Sequence, residues 1–178
     1  MAELTRRLYD SMCRWDNSVP HGSHRENLGP PEDRGPGTRQ GGVSEPRVRV
    51  ANRARDWLNQ ALRDLEQAED SRRAGRHEWA CFAAQQAAEK AVKALHLHVG
   101  QEAWGHVVVR LLRELPGTTA VSEELVERAR VLDTFYIPSR YPNSHPEGAP
   151  FEHYGPLQSN EAIQYAREII VFIRAQMA

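Results

Sequence analysis

The sequence predicts an all-α protein, an antiparallel (up-and-down) bundle of four to five helices with a long Pro-rich loop before the last one. Three observations predict it. Apolar residues recur at three- and four-residue spacing through most of residues 51–178. No stretch alternates apolar and polar residues as a half-buried strand must. Short connections join the first three helical segments, which favours antiparallel neighbours.

The first helix carries Ala54, Trp57, Leu58, Ala61, Leu65 and Ala68 on one face, with Gly75 as its stop. The second runs from about His77 to Val99 and closes at Gly100. Cys81, Ala84, Ala88, Ala91, Val92, Leu95 and Val99 fall on one narrow arc, and Ala80, Ala83, Ala87 and Ala94 on another. Small residues over so much of the circumference admit more than one close neighbour, which predicts that this helix runs through the middle of the bundle or from the bundle into a subunit contact. Gln85, Glu89 and Lys93 form a polar line beside the first arc. That line is either an i,i+4 pair on a solvated face, contributing about 0.2–0.5 kcal/mol, or the polar wall of a cleft. A short third helix holds Val108, Leu111, Leu112 and Leu115 before Pro116-Gly117. Ser122 is the N-cap of the fourth, with Glu123 and Glu124 in its first turn and Leu125, Ala129, Leu132 and Tyr136 facing the core. The fifth begins near Ser159 and turns Ala162, Ile163, Ala166, Ile169, Ile170 and Ile173 inward.

Residues 1–50 read differently. Residues 17–49 are dense in Gly, Pro, Ser and charge, and bury too little apolar surface to offset ordering, so a disordered N-terminal extension is expected. Within it, Leu4, Leu8, Met12 and Trp15 stand at helical spacing, as a weakly structured tail or a short amphipathic helix over residues 3–16. A net charge of −1 gives no global basic excess for non-specific DNA binding. With two cysteines, Cys13 and Cys81, a disulfide is not expected and the cytoplasm is the default compartment. No secretory signal and no membrane span are expected.

The loop of about 20 residues from Ile137 to Leu157 is long for a compact domain unless it works. Pro138, Pro142, Pro146, Pro150 and Pro156 stiffen it, which suits fixed presentation of side chains. It presents Arg140, Tyr141, Asn143 and His145. Arginine offers a planar fork of donors for phosphate oxygens, and histidine gives or takes a proton near neutral pH. The pair suits phosphodiester cleavage in RNA without a metal. On the spacing alone the alternative reading is that Arg140 pairs with an acidic side chain and His145 is simply exposed. His77, His96, His98, His106 and His153 have no zinc-site spacing, so neither a metal nor another cofactor is expected. Tyr136, Tyr141 and Tyr154 are expected to pack or cap the loop.

The segments "ANRARDWLNQAL", "WACFAAQQAAEKAVKALHL" and "LDTFYIPSRYPNSHPEG", with the closing helix, resemble the HEPN domain family over residues 51–178. That resemblance implies a two-fold homodimer in which two copies of an R-x-x-x-x-H motif, here Arg140 and His145, meet in one cleft. It also implies a metal-independent endoribonuclease of a toxin–antitoxin pair, partnered by a minimal nucleotidyltransferase. Tyr141 and Pro142 follow the arginine where the family often has asparagine, and Glu147 stands where some toxins carry a tyrosine that the antitoxin modifies. Three functions therefore stand side by side: a dimeric ribonuclease, a non-catalytic nucleotide-binding or adapter domain, and a plain dimerisation module. Gln85, Glu89, Lys93, Tyr141 and Asn143 are the expected cleft-binding residues around Arg140 and His145.

Overall fold

In the computed structural model, residues 52–178 are described; the tail at 3–16, the linker at 17–49 and Cys13 lie outside them. Five α-helices follow one another: α1 (Ala54–Arg73), α2 (His77–His98), α3 (Val108–Arg113), α4 (Glu123–Asp133) and α5 (Pro156–Gln176). No strand occurs among the described residues. Two single-turn 3₁₀ segments, Pro142–Ser144 and Pro150–Glu152, shape the long loop between α4 and α5.

Both long-helix ends that the glycines signal close by the same device. After α1, Gly75 takes φ +72°, so that Arg76 N–H reaches Ser71 O at 2.9 Å and Gly75 N–H reaches Arg72 O at 3.0 Å. After α2, Gly100 at φ +78° lets Gln101 N–H reach His96 O at 2.8 Å. Ser122 caps α4 as expected, its hydroxyl accepting from Leu125 N–H at 3.2 Å. Two boundaries differ from the sequence reading. The first is α5, which starts at Pro156 rather than near Ser159, because proline at the first helical position loses no intrahelical hydrogen bond. The second is α4, which ends at Asp133, so Tyr136 lies in the turns beyond it.

The small-residue arcs place α2 at the centre. It packs along α1 on one side and α5 on another, and also meets α3 and α4. Ala80, Cys81, Ala84, Ala87, Ala88, Ala91, Val92, Ala94 and Leu95 are all fully buried. Burial pushes the Cys81 thiol up to about 12, the nearby Glu78 charge adding to it, so Cys81 is a small core residue. Leu111, Leu112, Leu132, Ile169 and Ile173 complete the core from the surrounding helices.

Polar side chains knit the elements together. His96 is buried and donates through Nε2 to Leu111 O at 2.9 Å, tying the end of α2 to α3, whereas His98 is exposed. His77 meets the buried Ser159 at 2.9 Å, joining the starts of α2 and α5. Asp133, at the end of α4, accepts from Val108 N–H at 2.7 Å and Val109 N–H at 3.0 Å. It thereby caps α3 from another helix, where Val107 supplies no side-chain cap.

Candidate functional site

Arg140 leaves the turn that follows α4 and folds back on it. Its Nε and Nη2 both donate to Tyr136 O, at 2.9 and 2.6 Å. The guanidinium lies over three rings, its Cζ 4.3 Å from the Phe82 centroid, 4.8 Å from Tyr136 and 5.2 Å from Tyr141. Among the described residues no carboxylate pairs with it. The charge is thus fixed in direction but not neutralised, and its remaining N–H groups are those not directed at Tyr136 O. That arrangement suits an oxyanion.

His145 anchors two residues further along, donating through Nε2 to Pro138 O at 2.8 Å, which leaves Nδ1 as the nitrogen able to accept a proton. Its ring stacks on His153, centroids 4.0 Å apart and planes 3° from parallel. The edge contact with Tyr154 at 6.0 Å holds another side. His153 is fastened in turn by donating to Glu147 O at 2.7 Å. Gly148 makes this loop possible: it sits at φ +76°, and a Cβ there would fall 2.7 Å from Glu152 Oε2 and 3.2 Å from His153 Nε2. Glu152 itself accepts from Ala149 N–H at 2.6 Å. Arg140 and His145 therefore spring from one stiffened segment, with anchors at residues 136 and 138, and no hydrogen bond joins the two side chains.

The other residues singled out in the sequence divide. Tyr141 and Asn143 are exposed beside Arg140 on the loop. Gln85 and Glu89 are buried, 0% and 4% exposed, and stand behind the surface rather than on it. Glu89 accepts from Lys93 Nζ at 3.0 Å and from His106 Nδ1 at 3.2 Å, while Gln85 donates to His106 O at 3.0 Å. The i,i+4 pair exists, but it is buried, not solvated, because the segment before α3 covers it. Burial alone would push the Glu89 carboxyl up; the hydrogen bond from His106 and the charge of Lys93 outweigh it and hold the group below the usual carboxylate value.

His106 then stacks on Tyr136, centroids 5.0 Å apart and planes 15° from parallel. A continuous line of contact runs from Glu89 through His106 and Tyr136 to Arg140. Phe82, His106 and His153 were not legible as site residues: they lie far from Arg140 in sequence or carry no motif. Among the described residues no group of three or more His, Cys, Asp or Glu is placed to hold a metal ion. No helix among them is long and apolar enough to cross a membrane.

A model described as "HEPN domain" matches residues 54–176. The chain belongs to the HEPN domain family. Solved structures agree with the assignment. TT1696 from Thermus thermophilus is 52% identical with a TM-score of 0.70, covering 70% of this chain and 98% of its own. ST0689, described as an archaeal HEPN homologue, is 40% identical with a TM-score of 0.61, again over 70% and 98%. An HEPN domain protein (tm0613) from Thermotoga maritima is 36% identical with a TM-score of 0.55, over 67% and 95%. No curated protein matches the chain. HEPN domains are all-helical and generally dimerise, and this one shares the helical architecture.

Proposed function

We propose that this HEPN domain works as a cytoplasmic two-fold dimer that grips RNA or nucleotide phosphate with Arg140 and cleaves RNA without a metal, using His145. The observation that carries the reading is the guanidinium itself, braced on three rings and one carbonyl and, among the described residues, left without a carboxylate. A charge held in place before the substrate arrives needs no reorganisation as negative charge builds on the phosphoryl oxygens.

In this mechanism His145 Nδ1 takes the proton from a ribose 2′-hydroxyl. The 2′-oxygen then bonds to phosphorus, and the bond from phosphorus to the 5′-oxygen breaks. The histidine of the second subunit protonates that leaving oxygen, so the products are a 2′,3′-cyclic phosphate and a 5′-hydroxyl. A dimer supports this division because its isologous contact supplies two copies of each group. A minimal nucleotidyltransferase, as the antitoxin, is the partner that goes with this reading.

The test is RNA cleavage in EDTA. Wild-type protein is expected to cut; Arg140→Ala should lose about 10²- to 10³-fold in rate and His145→Ala about 10²- to 10⁴-fold, with helical content unchanged by circular dichroism. A wild-type dimer inert toward varied RNAs sinks the catalytic reading. One observation favours a second reading, binding without turnover: His145 has one nitrogen tied to Pro138 O and its ring face pressed on His153, as a structural imidazole would. Calorimetry with ATP, GTP and short oligonucleotides separates the two, since binding in the absence of cleavage supports the second.

A further inference from the structure

A groove of about 410 Å³ opens between α1 and α2, lined by Asp64, Gln67, Arg76, Trp79, Phe82 and Lys90 among others. We infer that this groove is a nucleobase subsite adjoining Arg140, an inference that rests on the reading of Arg140 as the phosphate-binding group. Phe82 is the shared wall. The guanidinium lies 4.3 Å from its centroid, and the Trp79 ring meets it edge-on at 6.1 Å. Trp79 and Arg140 are therefore separated by a single ring, a span that one nucleotide bridges from base to phosphate.

The lining suits a flat, weakly polar group. Trp79 is 49% exposed, a large aromatic surface left open beside the groove, and Tyr141, 42% exposed, has its ring centroid 5.2 Å from the same guanidinium. Aromatic faces flanking an arginine are the means by which proteins hold single-stranded nucleic acid. Charge is distributed to match. At the inner end Lys90 is neutralised by Asp64 at 2.6 Å and donates to Gln86 at 3.3 Å. Among the described residues no carboxylate pairs with Arg76, at the start of α2, or with Arg140, over Phe82, and the phosphate would lie at Arg140. Gln67 has its amide nitrogen on Ser71 Oγ at 3.1 Å, which leaves its carbonyl oxygen to accept from a base amine.

The experiment follows the Trp79 indole N–H resonance of the full-length protein, assigned with Trp79→Phe, during titration with adenosine, ribose 5-phosphate and AMP. The subsite predicts that adenosine and AMP move this resonance and that AMP binds about tenfold or more tightly than ribose 5-phosphate. Trp79→Ala should remove that advantage and leave ribose 5-phosphate binding intact; Arg140→Ala should do the reverse, retaining adenosine. Ribose 5-phosphate failing to bind while adenosine still shifts Trp79 would refute the phosphate reading and uphold the subsite. Equal affinity for AMP and ribose 5-phosphate, with Trp79 unmoved, overturns the subsite alone. A Trp79 resonance that answers to protein concentration and not to adenosine also overturns it, assigning the groove to contact between copies.

Discussion

Arg140 and His145 were recognisable in the sequence as chemistry, but not what holds them. Phe82 stands on α2, far back along the chain, and nothing in its spacing from Arg140 signals that the two will touch. The same is true of His153, whose only sequence cue was its type, and of His106, which sits in a Gly-flanked connection. Local periodicity reports which side of an element faces inward; it carries no information on which distant ring will lie beneath a given charge. Two predictions belong at this scale. Replacing Arg140 by Lys keeps the charge but loses the two-pronged contact with Tyr136 O and the flat stack, so phosphate affinity should fall about tenfold, read by calorimetry. Gly148→Ala forces an L side chain into a left-handed backbone and against Glu152 and His153, at a cost of about 1–2 kcal/mol by urea unfolding. In that variant the ring-current shift that His153 imposes on His145 should diminish in proton NMR.

The helices themselves were largely legible. Their glycine stops and the Ser122 cap depend on a few neighbouring residues, and local signals of that kind survive into the folded state. The start of α5 was misplaced because Ser159 has the chemistry of a cap, yet its side chain is buried against His77 and Pro156 begins the helix. The cap of α3 was invisible because Asp133 lies on a different helix. Burial pushes the Asp133 carboxyl up to about 6, against the pull of the Val109 and Val108 N–H groups and with a further push from the Glu89 charge. A group that binds its proton more tightly folded than unfolded contributes stability that is complete below its ordinary value near 3.8 and is lost as pH rises through about 6. Between those limits Asp133→Asn, which has no proton to lose, should show a flatter dependence of unfolding free energy on pH than wild type. Glu89 acts in the opposite sense, its contribution present above its ordinary value of 4.5 and lost on acidification. With the side chain of its partner Lys93 only 12% exposed, Glu89→Gln should lower stability by about 3 kcal/mol at pH 7.

At the level of the whole molecule, the two small-residue arcs of α2 left a central position and a subunit contact both open, and within the chain α2 takes the central one. The proposed dimer is open to a direct check. Sedimentation equilibrium should give twice the 20.2 kDa chain mass, and mixed dimers of wild-type and His145→Ala subunits should cleave far below half the wild-type rate, because one imidazole in a shared cleft cannot serve as both base and acid. Half the wild-type rate in a verified mixed dimer would mean that each subunit acts on its own. The borrowed cap of α3 has a bearing on how this architecture comes into being. A helix of six residues is too short to persist by itself in water, and the carboxylate that completes it is made 25 positions downstream. As the chain leaves the ribosome, α1 and α2 can zip into a hairpin at once, but α3 must wait in an open form until Asp133 has emerged and α4 has swung into place. The middle of the bundle is thus assembled out of chain order, latched by a residue that arrives late.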